Sequence, residues 1–241
     1  MANVYWSFNA ERLNAELLVE KPMNALVDLK KNNYFEGVQM KDYSRCSALP
    51  EYFKNVLMIK SLCDFTLIHE VDVDGKVVIT TNKSQKFFND TIQIDTYEKE
   101  QQVIQMNWNW YFFSEEKIEI SITPAFMHEN NFTKNTTFLP GKMDISKWFR
   151  PIRPAFKMNT SEIDVKRGDA LFYVHFNTDE KIDLKHFKWS GLIENYQSGC
   201  LHVKSLVERL SLKKLYDMFE KRNYKKKIMK EIKKNLTGEF K

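Results

Sequence analysis

The hydrophobic period changes near residue 199. Before that point apolar residues come in short runs or in strict alternation; beyond it Leu206, Leu210, Leu215, Phe219, Tyr224, Ile228, Ile232 and Leu236 recur at three- to five-residue steps. Alternation puts successive side chains on opposite faces of a strand, whereas recurrence near 3.6 gathers them on one stripe of a helix. The chain therefore reads as mainly β, with a body over residues 1–195 and an amphipathic helical segment over 200–241. The residues Asn195–Gly199 mark the junction, and Gly238 sits where a helix C-cap belongs.

Within the body, Ile163–Val165 leads through Lys166-Arg167-Gly168-Asp169 to Ala170–Phe176, a strand–turn–strand. Ile118–Thr123 alternates strictly, as a half-buried strand does. Val4–Phe8, Val56–Ile68 (one or two strands), Val77–Thr80 and Val103–Phe113 add β-forming runs. The turn Asp72–Gly75 predicts a hairpin between Val56–Ile68 and Val77–Thr80. Lys142–Trp148 and Ala155–Met158 are weaker strands, and a short helix is expected near 10–18. Eight or more short strands separated by turns point to a sandwich, jelly roll or related barrel. With 14% aromatic residues and only 7 Gly and 6 Pro, disordered and fibrous classes are excluded.

The net charge of +5 is unevenly placed. Residues 201–241 hold 13 Lys and Arg against 5 Asp and Glu, leaving 24 against 27 in the first 200. The body is slightly acidic and the tail is basic. Lys213, Lys214, Lys225, Lys226, Lys227 and Lys230 are the candidate partner-binding residues. They interleave with Glu208, Asp217, Glu220 and Glu231, which suits a helix docked on the sheet or on a protein partner; nucleic acid and an acidic membrane surface are the alternatives. No apolar run reaches the roughly 18 residues of a membrane span. The N-terminus lacks the basic and apolar regions of a secretory signal, and three widely spaced cysteines suit reduced thiols.

Catalytic spacing is sparse. There is no GxSxG, phosphate loop, HxH or HxxxH. An oxygenase-like site would need His128 and His175 to converge with Asp169 or Asp183 from separate strands. Cys63 with His69 is the one cysteine–histidine pairing to weigh, and Cys63 lies in an apolar run that favours an inert thiol. Arg150 and Arg153, set between Pro151 and Pro154, could hold a carboxylate or phosphate. Trp108, Trp110 and Phe112 share one strand face, read as core or as a stacking platform for single-stranded nucleic acid. No cofactor and no resident metal is expected.

The blocks Cys46–Asn55, Gly141–Pro151 and Ile163–Phe176 resemble an uncharacterised protein family of tailed phages and some bacteria, over roughly residues 45–185. The resemblance implies an accessory phage protein, in the host cytoplasm or the virion, and assigns no catalytic residues. A second resemblance, confined to Val165–Val174, is to the dUTPase-type β-clip fold; that family's Gly-rich and Ser-containing substrate motifs are absent. Together these readings predict a protein that binds a host protein or its own copies through the basic helix, with residues 204–241 separable from a body that folds without them. The alternatives are a metal-dependent cupin-like oxygenase, a nucleotide-processing β-clip enzyme and a virion structural component.

Overall fold

The computed structural model describes residues 1–9, 18–32, 47–71, 73–74, 77–98, 101–206 and 209–238. The helix expected near 10–18, most of the Asp72–Gly75 turn and Cys46 lie outside these residues. The first half of the chain forms β1 (Ala2–Phe8), β2 (Met23–Asn24), β3 (Val56–Lys60), β4 (Phe65–Val71), β5 (Val77–Thr81), β6 (Ile92–Glu98), β7 (Gln101–Met106) and β8 (Trp110–Phe113). The second half forms β9 (Glu119–Pro124), β10 (Thr136–Leu139), β11 (Gly141–Asp144), β12 (Ala155–Met158), β13 (Glu162–Val165), β14 (Ala170–Asn177) and β15 (Ile182–His186). Helices are α1 (Ala25–Lys31), α2 (Ala48–Tyr52), α3 (Gln85–Thr91), α4 (Asn131–Asn135), α5 (Gly191–Leu206), α6 (Leu212–Lys221) and α7 (Tyr224–Lys234).

Among the described residues the strands form four sheets, ordered β15-β1-β8, β10-β12-β7-β6, β11-β9-β14-β3-β2 and β13-β4-β5, and these do not close into a barrel. The protein is mainly β with a C-terminal helical segment, as its period change predicts. Among the described residues the strand pairings are antiparallel except β1 with β15. The predicted hairpin is β4–β5, with His69 opposite Ile79. No helix among the described residues is long and apolar enough to cross a membrane.

All four sheets feed one apolar core, with Val4, Trp6, Leu57, Ile59, Phe65, Ile104, Phe112, Ile120, Phe156 and Val174 among its members. Alternation explains two further cores. On β1 and β8, Tyr5, Tyr111 and Phe113 point away from the main core and meet α5, α6 and α7. On β3 and β14, Val56, Met58 and Tyr173 meet Ala25 and Leu29 of α1, with Phe53 and Ala125. The helical segment therefore shares a core with the body.

The strand–turn–strand at 163–176 is a corner. β13 pairs with β4 in one sheet, while β14 pairs with β3 and β9 in another. The β3–β4 link bends beside it: Ser61 N–H donates to Asp169 O at 2.8 Å, and Gly168 N–H to Ser61 O at 2.9 Å. Gly168 supplies the corner with a φ of 90°, which side chains disfavour.

The apolar run 103–113 is two strands in different sheets. Trp110 N–H turns back to Trp108 O at 2.6 Å, and Asn109 O accepts from Asn9 N–H at 3.0 Å. Trp108, Trp110 and Phe112 all enter the main core, so this face is no stacking platform. At the C-terminus, α5 begins at Gly191, so Asn195–Gly199 lies inside a helix. The last helix ends at Lys234 with Asn235 as its C-cap, three residues before Gly238. Beyond it the chain bridges back to the body: Leu236 pairs with Phe187, and Thr237 N–H donates to His186 O at 3.0 Å.

Candidate functional site

Helices α6 and α7 form a hairpin whose turn is Arg222-Asn223. Asn223 adopts a φ of 55°, a left-handed conformation that asparagine tolerates best among side-chain-bearing residues. Leu215 and Phe219 of α6 and Ile228, Met229 and Ile232 of α7 are buried against Phe113, Phe149 and Phe187. At 100° per residue this leaves Lys226, Lys227 and Lys230 on the outer face, and all three are exposed. Lys225, three residues before Ile228, is half-buried. Lys227 Nζ lies 5.5 Å from the Tyr224 ring centroid.

Lys221 and Arg222 at the end of α6, and Lys225, Lys226 and Lys227 in the first turn of α7, crowd five cations around Asn223. None has an ion pair among the described residues; in α7 Lys233 pairs with Glu115 at 2.8 Å and Lys234 with Glu231 at 3.7 Å. The placement is electrostatically unequal. Cations at a helix C-terminus complement its dipole, so Lys221 and Arg222 are well placed. Cations in the first turn oppose it, and α7 has no acidic residue there and no side-chain cap from Asn223. Lys213 and Lys214 are exposed in the first turn of α6, at the far end of that helix from the turn.

Beside the basic turn a crevice of about 50 Å³ opens between the helices, lined by Trp148, Cys200, Leu215, Phe219, Arg222 and Tyr224. Gly199 packs closely here: a Cβ at this position would lie 3.3 Å from the Tyr224 hydroxyl. Burial pushes the Cys200 thiol up to about 12, so it is a packing residue rather than a nucleophile. Cys63 is half-buried and its thiol is also raised by burial; both described cysteines are free.

The other predicted residues fall in three places. His128 and His175 come to one side of β14, around Tyr173. The loop Ala125–Asn130 is pinned there by Asn130 Nδ2, which donates to Ala170 O at 2.8 Å, and by the capping box that starts α4. His128 Nδ1 lies 2.6 Å from Tyr173 Oη, and Nε2 lies 3.2 Å from Asp28 Oδ2. Ionised Asp28 only accepts, which makes Nε2 the donor and leaves Nδ1 to accept from the tyrosine. Lys60 Nζ donates to Asp28 Oδ1 at 2.7 Å and Asn32 Nδ2 to Oδ2 at 2.9 Å. Burial works to raise the Asp28 carboxyl, but Lys60, Asn32 and His128 outweigh it and hold it below the usual range. Burial lowers His128, partly offset by Asp28, so the imidazole is neutral. Asp28, His128 and Tyr173 are buried, and the chain of bonds ties α1 to the sheet.

His175 Nε2 lies 3.1 Å from Thr123 Oγ1 and 3.3 Å from Tyr52 Oη. Asp169 closes the corner, its Oδ2 accepting from Lys166 N–H at 2.9 Å. Asp183 is 3.5 Å from Lys185. Among the described residues no three His, Cys, Asp or Glu side chains gather as a metal site. Arg150 and Arg153 flank a segment that runs along β8 and β7: Pro151 bridges Tyr111, Ile152 N–H donates to Trp110 O, and Pro154 O accepts from Met106 N–H. Arg153 is exposed and Arg150 half-buried.

Asp28, Lys60 and Tyr173 escaped the sequence reading, because each looks ordinary until residues distant in the chain meet. Lys221 and Arg222 were legible as charge, and the turn that groups them with Lys225–Lys227 was not. No family model matches the chain, and no curated protein matches it.

Proposed function

We propose that the protein is a binding module, an accessory protein of the phage type its sequence resembles, whose body presents the Arg222–Asn223 turn to an acidic protein partner. One observation carries this reading: Lys225, Lys226 and Lys227 occupy the first turn of α7 against its dipole and without ion pairs among the described residues. Apart from the contact of Lys227 with the Tyr224 ring, these charges oppose the helix dipole, whereas an acidic partner turns each into a contact. The adjacent crevice adds an apolar seat, so the partner segment carries one apolar side chain among its carboxylates. Such an anchor in a desolvated pocket, rimmed by charge, is the usual arrangement of a strong contact.

Fluorescence anisotropy with a labelled Asp/Glu-rich peptide holding a single Phe tests the proposal. Binding is expected to weaken on replacing the peptide's Phe by Gly, and to be lost in the triple variant Lys225→Gln/Lys226→Gln/Lys227→Gln. Tighter binding of duplex DNA, with an affinity that falls steeply with salt, would favour the nucleic-acid reading instead. Native mass on the same sample separates a foreign partner from a second copy of this chain: a monomer supports the first, and an oligomer that dissociates in the triple variant the second.

A further inference from the structure

A larger opening, apart from the basic turn, lies between two sheet edges: β15, the outer strand of one sheet, and β2, the outer strand of another. It has a volume of about 570 Å³, within the ordinary range of ligand sites. Met23, Leu57, Ile182 and Leu184 supply its apolar wall. Ile182 and Leu184 also pack against the main core, so the opening lies at the lip of that core. The register of β15 shows which of its backbone groups face outward. Ala2 N–H donates to Lys181 O at 3.1 Å and Phe187 N–H to Trp6 O at 3.1 Å, at the two ends of an unbroken parallel pairing. In such a pair alternate residues bond to the neighbour, so Lys181, Asp183, Lys185 and Phe187 face β1, while Ile182, Leu184 and His186 face away from it. Ile182 N–H donates outward to Asn55 Oδ1 at 3.2 Å, and His186 O accepts from Thr237 N–H at 3.0 Å. Between them, the N–H and C=O of Leu184 and the C=O of Ile182 have no hydrogen-bond partner among the described residues. Asn55 adjoins Lys54, which lines the opening, so the outward edge of β15 is turned toward it.

The rim is mostly positive. Lys21, Lys54 and Lys181 line the opening and are exposed. Lys54 lies 3.7 Å from Glu51, beyond hydrogen-bond length, and Lys21 and Lys181 have no ion pair among the described residues. The carboxylate in the lining, Asp183, is 3.5 Å from Lys185. An open strand edge offers main-chain bonds to any extended segment. The far end of this edge already takes one: Leu236 bridges Phe187 in the antiparallel sense, and Lys188 N–H donates to Asn235 O at 2.8 Å. We infer that the open stretch of β15 at Ile182–Leu184 is a docking edge for an extended acidic segment of a partner protein, which adds a strand there. The main chain of the segment bonds to Leu184 and to the Ile182 C=O. Its side chains alternate: apolar ones sit over Met23, Leu57 and Leu184, and carboxylates meet Lys21, Lys54 and Lys181. This edge is separate from the α6–α7 turn, and neither surface depends on the other.

A capped pentapeptide of alternating Glu and Val is the probe, read at the backbone ¹H–¹⁵N resonance of Leu184. The peptide is expected to move that resonance saturably and to slow exchange of the Leu184 amide hydrogen, while Asp183, whose N–H faces β1, changes little. In Lys21→Gln/Lys54→Gln/Lys181→Gln, three exposed substitutions that spare the core, half-saturation is expected at roughly fivefold higher peptide or more. The same peptide with Gln in place of Glu is expected to bind the unaltered protein as weakly. A Leu184 resonance that ignores the peptide, or one that responds equally in the triple variant, overturns the proposal. So does a Leu184 amide already protected without peptide to a degree that rises with protein concentration, because a second copy of this chain then covers the edge. Movement confined to resonances around Asn223 also overturns it and leaves the basic turn standing as a binding surface, so the two surfaces fail separately.

Discussion

The protein handles charge in two opposite ways. Around Asp28 every charge is buried or half-buried and paired: Lys60, Asn32 and His128 surround one carboxylate, and Tyr173 completes the line. Around Asn223 five cations stand with no ion pair among the described residues, three of them on the wrong end of a helix. The first arrangement is what a fold needs to hold α1 on its sheet. In the second, Lys221 and Arg222 complement the α6 dipole and Lys227 stands over the Tyr224 ring, while the first-turn position of Lys225, Lys226 and Lys227 opposes the α7 dipole. The contrast separates charge that specifies structure from charge available for recognition.

The largest effect should come from breaking the paired region. Asp28→Ala leaves Lys60 without its partner and His128 Nε2 without an acceptor; loss of one partner from a buried pair costs about 3–5 kcal/mol. Urea unfolding of the variant would read this as a lowered midpoint with little change in slope. A midpoint near wild type would mean that the buried network is dispensable.

The second effect separates the apolar face of the basic helices, which belongs to the fold, from their exposed lysines such as Lys230, which has no ion pair among the described residues. Ile228 is fully buried beneath α7 in the core shared with β1 and β8. Ile228→Ala should cost about 2–5 kcal/mol, while Lys230→Ala, two residues on, should fall within about 0.5 kcal/mol of wild type. For the same reason, deletion of 204–241 is expected to uncover Phe113, Phe149 and Phe187 and to destabilise the body. That differs from the separable tail which the charge pattern suggests. Calorimetry of the truncated chain distinguishes an intact body from a collapsed one.

A smaller effect follows from pH. His128, His175 and His186 are all lowered from 6.5, with burial the leading cause in each and Asp28 partly opposing it at His128. The folded state holds them neutral while the unfolded chain takes up protons. Stability present above pH 6.5 is therefore lost as the pH falls through the folded-state values. Melting temperature should drop between about pH 7.5 and about pH 5.5, and His175→Gln/His186→Gln should flatten part of that drop. A profile that rises toward acid would contradict the burial of these rings.

What the sequence made legible was local. The alternation of Ile118, Ile120 and Ile122 gives β9, and the Lys166–Asp169 turn gives a strand on each side. The period change gives helices that end the chain, and the lysine count gives their charge. What stayed hidden depends on contacts between distant residues. Asp28 and His128 are 100 residues apart, and His128 and Tyr173 are 45 apart. No spacing rule links them. The pairing of β13 and β14 into different sheets, and the split of 103–113 into two strands, were hidden for the same reason: a turn shows where the chain bends and not which neighbour it meets. Burial of β1, β8, β3 and β14 on both faces also masks alternation, because both sets of side chains are apolar. The unpaired cations were visible as lysines, and their opposition to the helix dipole needed the start of α7 at Tyr224, which the periodicity does not fix.

Under the proposed function the α7 lysines serve an acidic partner at a small cost to the fold. Lys225→Glu/Lys226→Glu places acidic groups in the first turn, where each charge that complements the dipole contributes about 0.3–1 kcal/mol. Melting temperature and acidic-peptide affinity should be measured on the same preparation. The melting temperature is expected to rise while peptide binding is lost. A melting temperature that falls would show instead that these lysines stabilise the fold.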